Sequence, residues 1–355
     1  MLNLLTENVL DFKQIRLFAA IAIVLGTMTK KITKIAVLTS GGDAPGMNAA
    51  IRAVVRASSY YNLECFGVYR GYQGLIDDEI VELNARSVRN IINKGGTFLK
   101  SARCKEFRSK EGRKKAYDNL VKNNIEALVV IGGDGSFTGA LKLSEEFDFP
   151  VIGIPGTIDN DINGTDYTIG YDTALNTVVE AIDKIRDTAS SHNRLFLIEV
   201  MGRDAGDIAL NAGIGAGAEE ILIPEENLGV ERLLESLIRS KKSGKTSSIV
   251  IVAEGDKSGK NIFELGEYVE EQLDGYEVRV SVLGHIQRGG SPSCYDRVLA
   301  SKLGIAAVEA LLDGKRDVMV GIVHKKETIV PLKTALGKRV HKHDRLIKVA
   351  DITSV

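Results

Sequence analysis

From Ile32 onward the chain alternates two apolar patterns. Short β-branched runs at Ile32–Leu38, Leu63–Tyr69, Ala127–Ile131, Val151–Ile154, Leu195–Val200, Glu220–Ile223, Ile249–Ala253 and Val278–Leu283 read as buried strands. Strands covered on both faces are apolar along their length, not at every second position. Between them apolar residues recur at helical spacing, as in Met47, Ala50, Ile51, Val54 and Val55, and again in Leu175, Val178, Val179, Ile182 and Ile185. Strand–helix alternation predicts an α/β fold, with parallel sheets covered by helices on both faces. Ligands of such sheets lie beyond the carboxyl ends of the strands. Chemistry is therefore expected in the loops that follow strands.

Those loops hold the glycines. The chain has 36 Gly in 355 residues, about a tenth against a usual ~7%. Gly41-Gly42-Asp43, Gly132-Gly133-Asp134-Gly135-Ser136, Pro155-Gly156-Thr157-Ile158-Asp159-Asn160-Asp161, Gly202-Arg203 and Gly284-His285-Ile286-Gln287-Arg288-Gly289-Gly290 each follow a predicted strand. Five such loops at corresponding strand ends would face one cleft. With 46 Lys+Arg against 47 Asp+Glu, the net charge of -1 gives no long-range pull toward nucleic acid or an acidic membrane, so small local ligands are expected. The three cysteines, Cys65, Cys104 and Cys294, match no metal or redox spacing and read as reduced thiols of a cytoplasmic protein. Leu17–Gly26 is too short to span a bilayer, which needs ~20 residues. It resembles a signal-peptide core, but Glu7 and Asp11 dilute its basic flank and Met28 opens a fresh start, so residues 1–28 are expected to be an extension outside the fold.

Gly41-Gly42 and the Gly133–Ser136 loop lead into helix starts, where unpaired N–H groups and the positive dipole end suit phosphate. Asp134 is an anion at such an anion site, which a divalent cation between it and phosphate would reconcile. Helix capping is its structural alternative. Asp159 and Asp161 offer a base for a hydroxyl proton, with Thr157 and Asn160 as positioners, against the alternative of an Asx-turn network. Arg103, Arg194, Arg203, Arg279 and Arg288 carry the planar fork that binds phosphate oxygens in pairs. Ser243-Gly244-Lys245-Thr246 is no Walker A ending, because Arg239 stands where the first glycine belongs and a strand follows. Gly213-Ile214-Gly215-Ala216-Gly217 also misses the dinucleotide fingerprint and precedes a strand.

Taken together, LTSGGDAPGMNAAIR, GGTFLKSAR, VVIGGDGS, PGTIDNDINGTDYTIG, IEVMGR and VLGHIQRGGSP, in that order, resemble the bacterial-type ATP-dependent phosphofructokinases from about Lys31 to Val323. The resemblance implies two doubly wound, Rossmann-like three-layer domains with the active site in the cleft between them. Residues 29–169 plus 286–335 would form the ATP-binding domain, and 170–285 plus 336–355 the sugar-phosphate domain. It also implies ATP-dependent phosphorylation of fructose 6-phosphate at the 1-hydroxyl. ATP would lie against Gly42, Tyr72, Arg103, Cys104, Gly133, Asp134, Gly135 and Ser136, with Mg²⁺ on Asp134. Asp159 would be the base, with Thr157 and Asp161 beside it and Arg203 stabilising the transferring group. Ile158, Met201, Gly202, Glu254, His285, Ile286, Gln287 and Arg288 would meet the sugar phosphate. Arg194 and Arg279 would reach in from a neighbouring subunit of a homotetramer.

Family members that use pyrophosphate carry Asp and Lys where this chain has Gly135 and Gly156, so the resemblance favours ATP. An effector site for an anion, ADP or phosphoenolpyruvate, would use Arg52, Arg56, Arg186, Gly217, Ala218, Glu219 and Lys245. Ala85, Ser243 and Thr246 stand where basic residues are frequent, with Arg86 and Lys242 one position away, so a weakened effector response is expected. A pyrophosphate-dependent enzyme, a kinase of a related sugar phosphate and a non-catalytic sugar-phosphate sensor are the competing readings.

Overall fold

Apolar runs that can be shielded on both faces become the middle of sheets. A computed structural model describes residues 32–190, 194–226, 229–243, 248–273, 277–339 and 343–354. The expected extension at 1–28 lies outside the described residues. The strands, in chain order, are β1 (Lys34–Thr39), β2 (Glu64–Val68), β3 (Ile80–Leu83), β4 (Ala127–Gly132), β5 (Val151–Pro155), β6 (Arg194–Val200), β7 (Glu220–Leu222), β8 (Ser248–Ala253), β9 (Glu277–Val282), β10 (Val318–Val323) and β11 (Lys326–Pro331). They form a seven-stranded sheet in the order β11-β10-β5-β4-β1-β2-β3 and a four-stranded sheet in the order β7-β8-β6-β9. All pairings are parallel except β2 with β3 and β10 with β11 at the edges of the larger sheet.

The eight predicted strands are present. The three not foreseen, β3, β10 and β11, all lie toward the edges of the larger sheet. β3 and β11 are half solvated and mix charge with apolar residues, so neither reads as a buried run. The turn joining β10 to β11 is His324-Lys325, both in the left-handed region at φ 49° and 66°, without the Asn-Gly that usually signals such a turn.

Apolar clusters fill both faces of the larger sheet. One, around Val37, Val129, Ile154 and Leu303, continues to Ile198 and Ile251 of the smaller sheet. The other holds Leu38, Val130, Phe137 and Leu143. The opposite face of the smaller sheet packs on Leu233, Leu237 and Leu265. The helix Tyr171–Ser190 leads from the first sheet to the second, and a side chain from a distant helix anchors its start. Asp296, fully buried near the start of the helix Cys294–Leu312, accepts N–H bonds from Gly170 (2.9 Å) and Thr173 (2.8 Å). Burial pushes its carboxyl up to about 6, against the pull of these donors.

Among the described residues, no helix is long and apolar enough to cross a membrane. The three cysteines are free, and burial pushes the Cys65 thiol up to about 12.

Candidate active site

Parallel strands place their following loops at one end of a sheet. The loops after β5 and β6 meet there. Asp159, 1% exposed, has its Oδ2 3.3 Å from Nε of Arg203, while its Oδ1 is buried with no hydrogen-bond partner. A carboxylate oxygen shielded from water and left without a donor is costly unless a ligand supplies one. Burial and the neighbouring charge of Asp161 raise the Asp159 carboxyl above its ordinary range, against the pull of Arg203 and Arg288. The Asp159 N–H donates to Thr157 Oγ1 at 3.2 Å, which fixes the turn. Asn160 and Arg203 hold left-handed backbone at φ 52° and 54°, an unfavourable conformation that clusters at functional sites.

Across the cleft, Glu254 after β8 accepts the N–H groups of Gly202 (3.2 Å) and Arg203 (2.7 Å). The turn Gly284–Arg288 after β9 bridges the two sheets. Gln287, fully buried, accepts the Met201 N–H at 3.2 Å. Arg288 donates to the Asp43 carbonyl at 3.3 Å and covers Gly42, where a Cβ would sit 2.5 Å from its Nη1. Glycine at 42 lets the guanidinium lie this close, and a larger residue would displace it. His285 and Ile286 are exposed beside it.

The helix Asp134–Phe147 begins beyond β4. Its N-cap is Gly133, without a side-chain cap bond, and Asp134 is its first helical residue, so capping is not what Asp134 does. Burial, with a contribution from the Asp159 charge, raises the Asp134 carboxyl, and Arg203 opposes this. A Cβ at Gly135 would meet nothing within 4 Å, so open space lies over this helix start. At Gly156, by contrast, a Cβ would press on Ile131 (3.1 Å) and Met47 (3.2 Å). Ser136 is buried. Tyr72 lies in the core, stacked on Phe107 at 4.0 Å, and its hydroxyl donates to the Ser136 carbonyl. Tyr72 thus supports the loop from behind. Cys104 packs half-buried on the same cluster, and Arg103 is exposed.

The structure does not bring Arg194 and Arg279 to this cleft. Arg194 opens β6, a strand of 7 residues whose far end carries Met201 and Arg203, a separation of roughly 20 Å at ~3.3 Å per residue. Both arginines pair instead with Glu277, Arg194 at 2.8 Å. Of the expected effector residues, Arg186 donates to the carbonyls of Ala216 (2.7 Å) and Gly217 (2.8 Å) and lies 4.0 Å from Glu219. Ala218 is buried beside them. Arg52 and Arg56 stand on the helix Met47–Tyr60, where burial and the adjacent Arg56 lower the Arg52 pKa. Lys245, like Thr246, lies outside the described residues.

Sequence reading missed a polar group behind the cleft. Asp207, Glu225 and His343 converge there, with His343 Nε2 at 3.6 Å from Asp207 and 3.4 Å from Glu225. Arg339 donates to the Asn160 carbonyl. These residues come from separate segments, so no local spacing signals them.

Comparison with known proteins bears on this arrangement. The family profile described as Phosphofructokinase matches residues 34–311. The ATP-dependent 6-phosphofructokinase 2 of Bacteroides thetaiotaomicron is 55% identical over 314 residues, 88% of this chain and 94% of that protein. The ATP-dependent 6-phosphofructokinase of Bacillus pumilus is 61% identical over 289 residues, 81% of this chain and 89% of that protein. The solved phosphofructokinase of Pichia pastoris in the T-state aligns with a TM-score of 0.82 at 38% identity, covering 92% of this chain and 37% of that one. The chain thus spans little more than a third of that yeast enzyme.

Proposed function

The chain belongs to the phosphofructokinase family, and on that footing we propose that it transfers the terminal phosphoryl group of ATP to the 1-hydroxyl of fructose 6-phosphate. Fructose 1,6-bisphosphate and ADP are the products. The observation that carries the reading is Asp159, whose buried Oδ1 lacks a donor while Arg203 holds Oδ2. The sugar hydroxyl supplies that donor. As its oxygen attacks the terminal phosphorus and the bond to the β-phosphate oxygen breaks, its proton passes to Asp159. A carboxyl raised by burial is the stronger base for this step. Arg203 and Arg288 offset the charge spread over the phosphoryl oxygens.

The open space over Gly135 supports a nucleotide as donor, with its phosphates at the start of the Asp134 helix. The donor set fits Mg²⁺: Asp134 is a hard, half-buried carboxylate whose pKa is raised by burial and by the Asp159 charge, against the pull of Arg203. Mg²⁺, when bound there, neutralises charge on the phosphate oxygens.

The position of Arg194 at the end of β6 opposite the cleft, and the pairing of both Arg194 and Arg279 with Glu277, support their service to a neighbouring subunit, as in a homotetramer. The division into an ATP-binding unit (29–169 plus 286–335) and a sugar-phosphate unit (170–285 plus 336–355) is supported by β10 and β11, which return to the first sheet after the second is complete. The grouping of Arg186, Gly217 and Glu219 supports an anionic effector, weakened by Ala85 and Ser243. A coupled assay of fructose bisphosphate formation, with ATP and pyrophosphate compared as donors, tests the reading. Turnover with pyrophosphate alone, or binding of sugar phosphate without turnover, overturns it.

A further inference from the structure

The Asp159–Arg203 pair is held by two loops, and both are fastened from behind by the C-terminal segment. In the first loop, Asn160 lies between the two carboxylates with a left-handed backbone. Its side chain accepts the Thr168 N–H at 3.0 Å and donates to the Asp166 carbonyl at 3.2 Å and Asp207 Oδ1 at 3.4 Å. Its carbonyl, in the peptide that joins it to Asp161, receives the Arg339 guanidinium. In the second loop, the Gly206 N–H, three residues beyond Arg203, donates to the Glu225 carboxylate at 2.9 and 3.1 Å. His343 stands between Glu225 and Asp207 and is 7% exposed.

The helix Asp344–Thr353 that follows His343 has no fully buried residue, and it rests on the core through the half-buried Leu346, Ile347 and Ala350. The polar side chains that the C-terminal segment carries toward the two loops are Arg339 and His343.

We propose that Arg339 and His343 are positioning residues for phosphoryl transfer, which together lock the Asn160 turn and the Gly206 turn and so set Asp159 against Arg203 and the reacting hydroxyl. This rests on the phosphotransferase reading. Burial opposes a charge on His343, but Glu225 and Asp207 outweigh it and raise its pKa, with Arg339 as the opposing cation nearby. Neither residue touches substrate. The effect is geometric: displacement of a reacting group by about 1 Å can cost ~10²-fold in rate.

The test uses the full-length enzyme with Arg339→Met, Arg339→Lys, His343→Gln and Asp159→Asn, measuring kcat, KM for each substrate, the acid limb of kcat against pH, and thermal unfolding. Arg339→Met is expected to lower kcat about 10-fold or more, with KM for ATP within about two-fold and a shifted acid limb. Arg339→Lys, which keeps the charge without the planar fork, recovers part of the loss, and His343→Gln loses less than Arg339→Met. Should Arg339→Met not fold, a kcat loss in Arg339→Lys with KM for ATP preserved is the supporting result. Wild-type kcat and acid limb in Arg339→Lys and His343→Gln overturn the positioning role when Asp159→Asn is inactive. Full activity of Asp159→Asn instead sinks the reading beneath it.

Discussion

Gly135→Asp isolates the claim that a nucleotide lies over the Asp134 helix. A Cβ there meets nothing within 4 Å, so the backbone and its neighbours accept a side chain at its first atom. An acid in the first turn of a helix is itself stabilising by about 0.3–1 kcal/mol. Repulsion from the neighbouring Asp134 carboxylate opposes this gain, so stability is expected to change little. The carboxylate would enter the space assigned to the phosphates of ATP. Two unit charges about 5 Å apart at an effective dielectric of about 20 repel by about 3 kcal/mol, roughly 10²-fold in affinity or rate. The assay is initial-rate titration with ATP at saturating fructose 6-phosphate, beside a thermal melt. The expected result is a fall in kcat/KM for ATP of about 10²-fold with a little-changed melting temperature. An unchanged kcat/KM in a folded variant refutes the placement of the nucleotide.

Three further outcomes follow from the site and core. Because Asp159 must be ionised to accept a proton and its pKa is raised, the protonated, inactive form persists to higher pH than for a free carboxylate. A pH–rate profile should lose kcat as pH falls through a value above the usual Asp range, and a limb at or below that range contradicts the environment described. Arg279→Ala should raise KM for fructose 6-phosphate, with a smaller change in KM for ATP; a loss confined to ATP would contradict service to a neighbouring sugar site. At Gly153, in the middle of β5, an added Cβ would lie 2.7 Å from Phe137, so Gly153→Ala should cost about 1–3 kcal/mol by overpacking, read by urea denaturation at constant slope.

Parallel strands such as β4 and β5, buried on both faces, were legible because their apolar runs are unbroken. β11 was not, since it is an edge strand whose Lys326, Glu327 and Thr328 face solvent or a single partner. The glycine loops marked the cleft, and Asp159, Arg203, Gly202, Glu254, Gln287 and Arg288 do converge on it. Strand direction, which depends on topology, is what separates Arg194 and Arg279 from them. Tyr72 illustrates another limit: the resemblance implied a place for it beside the Gly133–Ser136 loop, but the bond that turns its hydroxyl to the Ser136 carbonyl exists only once the core has formed. Asn160 was marked as a positioner, but the gathering of Asp207, Glu225, Arg339 and His343 behind it escaped altogether, because tertiary structure alone joins their segments.

The central claim is that Asp159 takes the proton of the sugar hydroxyl. Its most direct test is single-turnover formation of fructose 1,6-bisphosphate by the wild-type protein and Asp159→Asn, with ATP, Mg²⁺ and fructose 6-phosphate. The account expects the rate to fall by about 10²–10⁴-fold while fructose 6-phosphate still binds. Product formation by Asp159→Asn at the wild-type rate would contradict it.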